Sequence, residues 1–158
     1  MAISERIYYF RHLRGMTRQQ FGSACGFSQS AAAAQITQYE CGEREPEVDI
    51  LKRMSNVLDV SLQALDVPNM DDEERMMHTL FALEDTCGLS AALGAGAMLL
   101  YLDPESGAAL YDMICEWKRQ AERLKTGEIT KRAYDHWRYW YPEPGAGAES
   151  ADNRILVV

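Results

Sequence analysis

Apolar residues recur at helical spacing through the first 67 residues, interrupted at short intervals by glycine or by capping residues. Ile7, Phe10 and Leu13 form the stripe of a first helix that Ser4 can cap and Gly15 ends. Thr17-Arg18-Gln19-Gln20 has the capping-box form, so a second helix is predicted from Thr17 to Gly26. Ser28 or Ser30 then caps a third helix through Tyr39, ended near Gly42. Pro46 stands at or just before the first turn of a fourth helix, where its missing N–H costs nothing, and Ile50, Leu51, Met54 and Leu58 make that helix's apolar face. Ser61 caps a last short turn holding Leu62 and Leu65.

The pattern changes after Pro68-Asn69, which reads as the boundary. Asp71-Asp72-Glu73-Glu74 places carboxylates where a helix N-terminus favours negative charge. Met76, Leu80, Leu83 and Cys87 continue as one helical face. Two short apolar runs, Leu89–Leu93 and Met98–Leu102, flank Gly94-Ala95-Gly96 and predict a β-hairpin. A turn at Asp103–Gly107 leads into a long helix with Leu110, Ile114, Trp117, Ala121 and Leu124 on one stripe, broken by Gly127. Thr130 caps the last helix, which carries Tyr134, Trp137, Tyr139, Trp140 and Tyr141 before Pro142 and Pro144 stop it. The expected fold is therefore mainly α: a five-helix N-terminal domain over 1–67, a small α+β domain with a β-hairpin over 68–144, and a flexible tail over 145–158.

Charge divides the chain along the same line. The 158 residues carry a formal net charge of -8. Residues 1–67 hold 7 Lys+Arg against 8 Asp+Glu, a net of -1, whereas residues 68–158 hold 9 against 16, a net of -7. The acidity sits in the second part, and the near-neutral first part permits a nucleic-acid partner without advertising one.

Chemistry-bearing residues are sparse. Cys25, Cys41, Cys87 and Cys115 form no CxxC pair, and His12, His78 and His136 are equally scattered, so neither a metal nor a disulfide is expected. No Ser/His/Asp order, phosphate-cradling glycine loop or HExxH appears, which argues against an enzyme and against a cofactor. No apolar run approaches the roughly 20 residues of a membrane span. The start MAISERIYYF lacks the basic region and apolar stretch of a secretory signal, so a cytoplasmic protein is expected.

The order of residues in the first domain adds what periodicity cannot. Arg14-Gly15-Met16-Thr17, Gln20-Phe21, Gly26-Phe27-Ser28, Ile36, Tyr39-Glu40, Gly42, Pro46, Leu51, Leu58 and Val60-Ser61-Leu62 together resemble the Cro/repressor-type helix-turn-helix family of bacterial and phage regulators. Over MAISERI, FRHLRGMTR, QYECG, HTLFALED and GEITKRAYDHWRYWYP the chain also resembles regulators of gut-type Gram-positive bacteria and mobile elements. The resemblance implies that Phe21 and Ile36 lock the second helix to the third, that Gly26 permits the turn between them, and that Glu40 is structural. Gly22 stands where that family usually has alanine and lets the two helices approach.

One departure concerns the reading helix itself. The step from Ser28 to Ile36 is eight residues, where the family usually has four. Four extra residues add about one turn, roughly 6 Å, to the N-terminal end of the third helix; a longer irregular loop is the alternative. With Ile36 and Tyr39 buried, the outer face reads Ala31, Ala34, Gln35 and Gln38, with Gln29 and Ser30 ahead of it. Glutamine can bond adenine bidentately and alanine can touch a thymine methyl. Thr17, Arg18 and Arg44 are the expected phosphate contacts. No lysine or arginine lies between Arg18 and Arg44. The resemblance implies a sequence-specific regulator of double-stranded DNA, repressor-like and acting as a homodimer on paired half-sites. The alternative is a protein-interaction module that keeps the scaffold and has lost DNA affinity.

Overall fold

The computed structural model describes residues 3–67, 72–94 and 96–142. The expected boundary at Pro68-Asn69, the carboxylate of Asp71 and the expected loose tail over 145–158 lie outside these. The chain divides into two compact units, Met1–Asn69 with Asp135–Val158 and Met70–Tyr134. It is mainly helical with one antiparallel hairpin, the fold class that the residue pattern predicts.

The first unit begins with five helices: α1 (Ile3–Leu13), α2 (Arg18–Ala24), α3 (Ala32–Glu40), α4 (Val48–Leu58) and α5 (Leu62–Leu65). The Thr17 hydroxyl accepts from the Gln20 amide while the Gln20 side chain accepts from the Thr17 amide, so the capping box is formed in full. Ser61 caps α5 by accepting from the Ala64 amide. Ile7, Phe10, Phe21, Ile36, Met54, Leu58 and Leu65 are fully buried and form one core.

Two expectations are corrected here. Leu13 is 50% exposed, and the inner position of α1 beyond Phe10 belongs instead to Arg11, buried against Glu40. Neither Ser28 nor Ser30 caps α3. The N-cap is Ala31, with no side-chain hydrogen bond. Residues 29–31 form a turn in which the Ser28 carbonyl accepts from the amides of Ala31 and Ala32 at 3.0 and 2.9 Å. The extra residues thus make the loop, and α3 is not lengthened into a longer reading helix.

A remote segment completes this core. The last residues of α8 (Lys131–Trp140) belong to the first unit, whereas the sequence pattern had grouped all of 68–144 together. Tyr139 is 8% exposed, packs edge-on against Phe10, and its hydroxyl lies 3.0 Å from that of Tyr9. Its carbonyl accepts from the Ser61 amide at 2.8 Å.

The second unit contains α6 (Glu73–Cys87), β1 (Leu89–Gly94), β2 (Ala97–Leu102), α7 (Ala108–Lys125) and the first residues of α8. Asp72 caps α6 by accepting from the amides of Glu74 and Arg75. The strands pair in antiparallel register, Leu89 opposite Leu102 and Gly94 opposite Ala97. A Cβ on Gly107 would stand 2.7 Å from the Cys87 carbonyl oxygen, so only glycine lets the start of α7 lie against the end of α6. Thr130 accepts from the Ala133 amide and caps α8. The Trp117 indole donates to the Tyr134 hydroxyl at 2.8 Å. Tyr134 is the one buried apolar side chain among the described residues of this unit.

Candidate nucleic-acid interface

Helix α2 packs directly on α3. Phe21 and Ile36 are fully buried, and Gly22 is where the two backbones meet. A Cβ on Gly22 would stand 2.6 Å from the Ala32 carbonyl oxygen. Gly26, at φ +88°, turns the chain out of α2. The Gln19 side-chain amide donates to the Gln29 carbonyl at 2.7 Å and ties the inserted turn to α2.

Glu40 binds three helices together. Its side chain is 2% exposed and accepts from Arg11 of α1 at 2.5 and 3.1 Å and from Arg18 of α2 at 2.7 Å. Burial works to raise the Glu40 carboxyl, but the bonds from the two guanidinium groups outweigh it and hold it below the ordinary carboxylate value. The same bond raises Arg18. The role of Glu40 is structural.

The outer face of α3 is neutral. Ala34 and Gln38 are exposed, Gln35 and Ala31 are half-buried, and Gln29 and Ser30 are exposed in the turn ahead of the helix. The Ser28 and Ser30 hydroxyls lie 3.4 Å apart. No side chain caps α3: the Ser28 carbonyl takes the amides of Ala31 and Ala32, and those of Ala33 and Ala34 have no side-chain acceptor at the end of the helix that carries partial positive charge. The run Ala31–Ala34, which lacks every common capping residue, is the sequence signal for this feature, and reading the two serines as caps concealed it.

The cations are mostly committed to the protein itself. Arg6 donates to the Ala64 carbonyl, Arg14 to those of Leu58 and Asp59, and Arg53 to that of Cys25. Arg11 and Arg18 serve Glu40, and Lys52 lies 4.0 Å from Asp49. Arg44 is the one Lys or Arg of residues 3–67 whose side chain makes no hydrogen bond or ion pair among the described residues; its backbone amide donates to the Gln38 carbonyl at 3.3 Å. Around it, Glu43, Glu45 and Glu47 are all exposed. Thr17 is exposed, its oxygen engaged as the α2 cap, and Arg18 keeps 43% side-chain exposure beside Glu40. The predicted contacts thus gather around α3 and the start of α2, but the expected phosphate contacts differ in how far each is held.

The four cysteines are free, and burial pushes the Cys25 thiol up to about 11. Among the described residues no group of three or more His, Cys, Asp or Glu is placed to hold a metal, and no helix is long and apolar enough to cross a membrane.

Residues 7–65 match the family model described as helix-turn-helix. That stretch coincides with the first five helices. The match supports the Cro/repressor-type resemblance for this part of the chain, in a family of DNA-binding transcription regulators that is generally non-enzymatic. No curated protein matches the chain.

Proposed function

We propose that this protein is a sequence-specific, repressor-like regulator that reads double-stranded DNA as a homodimer. The observation that carries the reading is the outer face of α3, where Ala34, Gln35 and Gln38 present a neutral surface beside a helix end that no side chain caps. In the major groove the two glutamines would meet base edges, Ala31 and Ala34 would reach thymine methyls, and Gln29 and Ser30 would lie at the groove wall. The amides of Ala33 and Ala34, Thr17 and Arg44 would hold phosphates, with Arg18 assisting from its pair with Glu40. Two copies would place two such helices about 34–36 Å apart on paired half-sites.

Affinity in this reading is low, because phosphate neutralisation sets non-specific binding and Arg44 is surrounded by Glu43, Glu45 and Glu47. That same surface supports the second reading, an interaction module on an unchanged scaffold. Selecting duplexes from a random pool with the full chain, then titrating the winner against salt, separates the two. Enrichment of one two-fold site with salt-sensitive binding supports the regulator. Failure to bind any duplex in a salt-dependent way at low ionic strength replaces it with the interaction module.

A further inference from the structure

The turn between α2 and α3 is held at successive residues although its surface is open. The Phe27 amide donates to the Gly22 carbonyl at 3.0 Å, and the half-buried Phe27 ring packs on the core. The Ser28 carbonyl then takes the Ala31 and Ala32 amides, and the Gln29 carbonyl takes the Gln19 side-chain amide at 2.7 Å. Ser28, Gln29 and Ser30 are nevertheless all exposed. Gln19 is the second residue of α2, so the chain that leaves the far end of that helix has come back to its start. The extra residues therefore stand by Thr17 and Arg18, where phosphate contacts are expected.

Anchoring the backbone leaves the side chains free. That of Gln29 makes no hydrogen bond or ion pair among the described residues, and the Ser30 hydroxyl meets only that of Ser28, at 3.4 Å. Charge favours this end of α3 over the other. Residues 6–39 hold Arg6, Arg11, Arg14 and Arg18 and no Asp or Glu, whereas Glu43, Glu45 and Glu47 follow the C-terminal end of α3. An anionic duplex that approaches the turn meets no carboxylate from this stretch.

We infer that the inserted turn is a second reading element, in which Gln29 reads a base pair and Gln19 is the positioning residue that fixes it. The inference rests on the regulator reading above and deepens it. Recognition helices contact base edges from their N-terminal residues, and the turn stands directly ahead of that end of α3. Gln29 precedes Gln35 by six residues, so its base pair lies beyond those that Gln35 and Gln38 reach. A free carboxamide offers a donor and an acceptor together, which suits the adenine edge, and it neutralises no phosphate. The Gln19 bond matters because a side chain on a loose loop loses part of its contact energy to ordering that loop.

Fluorescence anisotropy of the full chain, on its selected duplex and on every single-base-pair variant of it, tests this with wild type, Gln29→Ala, Gln19→Leu and the double variant. Wild type is expected to reject the wrong base pair about tenfold at one position that Gln35→Ala and Gln38→Ala leave intact. Gln29→Ala is expected to abolish that discrimination and Gln19→Leu to reduce it at the same position. The double variant is expected to match Gln29→Ala, because one residue acts through the other. In the free protein, Gln19→Leu is expected to speed amide exchange at Ala31 and Ala32 and to leave α4 unchanged. Discrimination kept at every position by Gln29→Ala overturns the reading turn while the regulator stands. Equal weakening on all duplexes makes Gln29 a phosphate contact and overturns it as well. Losses at different positions in the two single variants, or unchanged exchange in Gln19→Leu, overturn the positioning role. A wild type that binds no duplex in a salt-dependent way overturns the regulator and this inference together.

Discussion

The Ala32 backbone lies so close to Gly22 that a Cβ there would stand 2.6 Å from the Ala32 carbonyl oxygen. The inserted turn is what brings Ala32 to that place, since its amide closes on the Ser28 carbonyl. The glycine is therefore the counterpart of the extra residues. Gly22→Ala is expected to destabilise the first unit by about 1–3 kcal/mol, the usual cost of overpacking, despite alanine's better helix propensity. Thermal unfolding measures it, and an unchanged or raised Tm would contradict the close approach.

Glu40 makes the first unit sensitive to acid. Its folded pKa lies below the unfolded value, so the stabilisation it provides is present above about pH 4.3, the ordinary glutamate value, and is lost as pH falls through the folded value. Glu40→Gln leaves Arg11, 5% exposed, without its counter-charge. The expected loss is about 3 kcal/mol at neutral pH, with a flatter acid limb in urea titrations across pH 2–6.

Tyr139 contributes to a core more than seventy residues earlier in the chain. Tyr139→Ala is expected to cost about 3 kcal/mol from the cavity it leaves, and Tyr139→Phe about 1 kcal/mol from the lost Tyr9 contact. Burial, then the Tyr9 bond, push its hydroxyl up to about 12. Its stabilising contribution is full below about pH 10, the unfolded value, and declines as pH rises toward 12. Amide exchange in α1 and α5 reads the effect locally.

Arg44 and Gln38 should act on different parts of DNA binding. Arg44→Ala is expected to weaken binding to all duplexes alike and to flatten the log–log salt slope by about 0.9 for each half-site. Gln38→Ala should leave that slope in place and relax base preference by about 1–3 kcal/mol at one position. Fluorescence anisotropy at several salt concentrations, on the selected site and on point variants of it, distinguishes the two.

Local chemistry made much of this fold legible. The Thr17–Gln20 capping box and the Ser61 cap are signals a few residues wide, and both are formed; the Phe21–Ile36 lock, which the family resemblance implied, is formed as well. The start of α3 was less legible, because Ala31–Ala34 suits a helix at every position and cannot say where one begins. Arg11 taking the inner place beyond Phe10 needs Glu40, 29 residues away, and local spacing carries no trace of that partner. Tyr139 in the N-terminal core is the same difficulty over a longer range, since its helix reads as part of the second unit. Within the candidate interface, the outer face of α3 was legible from which residues had to be buried. The loss of free cations was not, since the carbonyls that hold Arg6, Arg14 and Arg53 leave no mark in the sequence.

The place of Tyr139 in the chain also sets an order of synthesis. Residues Met1–Asn69 are made first, but the unit they belong to stays one aromatic side chain short until α8 emerges. At about 5–20 residues per second, the interval from Leu65 to Tyr139 lasts roughly 4–15 s. During that time the hairpin is translated ahead of the closing residue, so the first five helices wait for a side chain from beyond it before their core is complete.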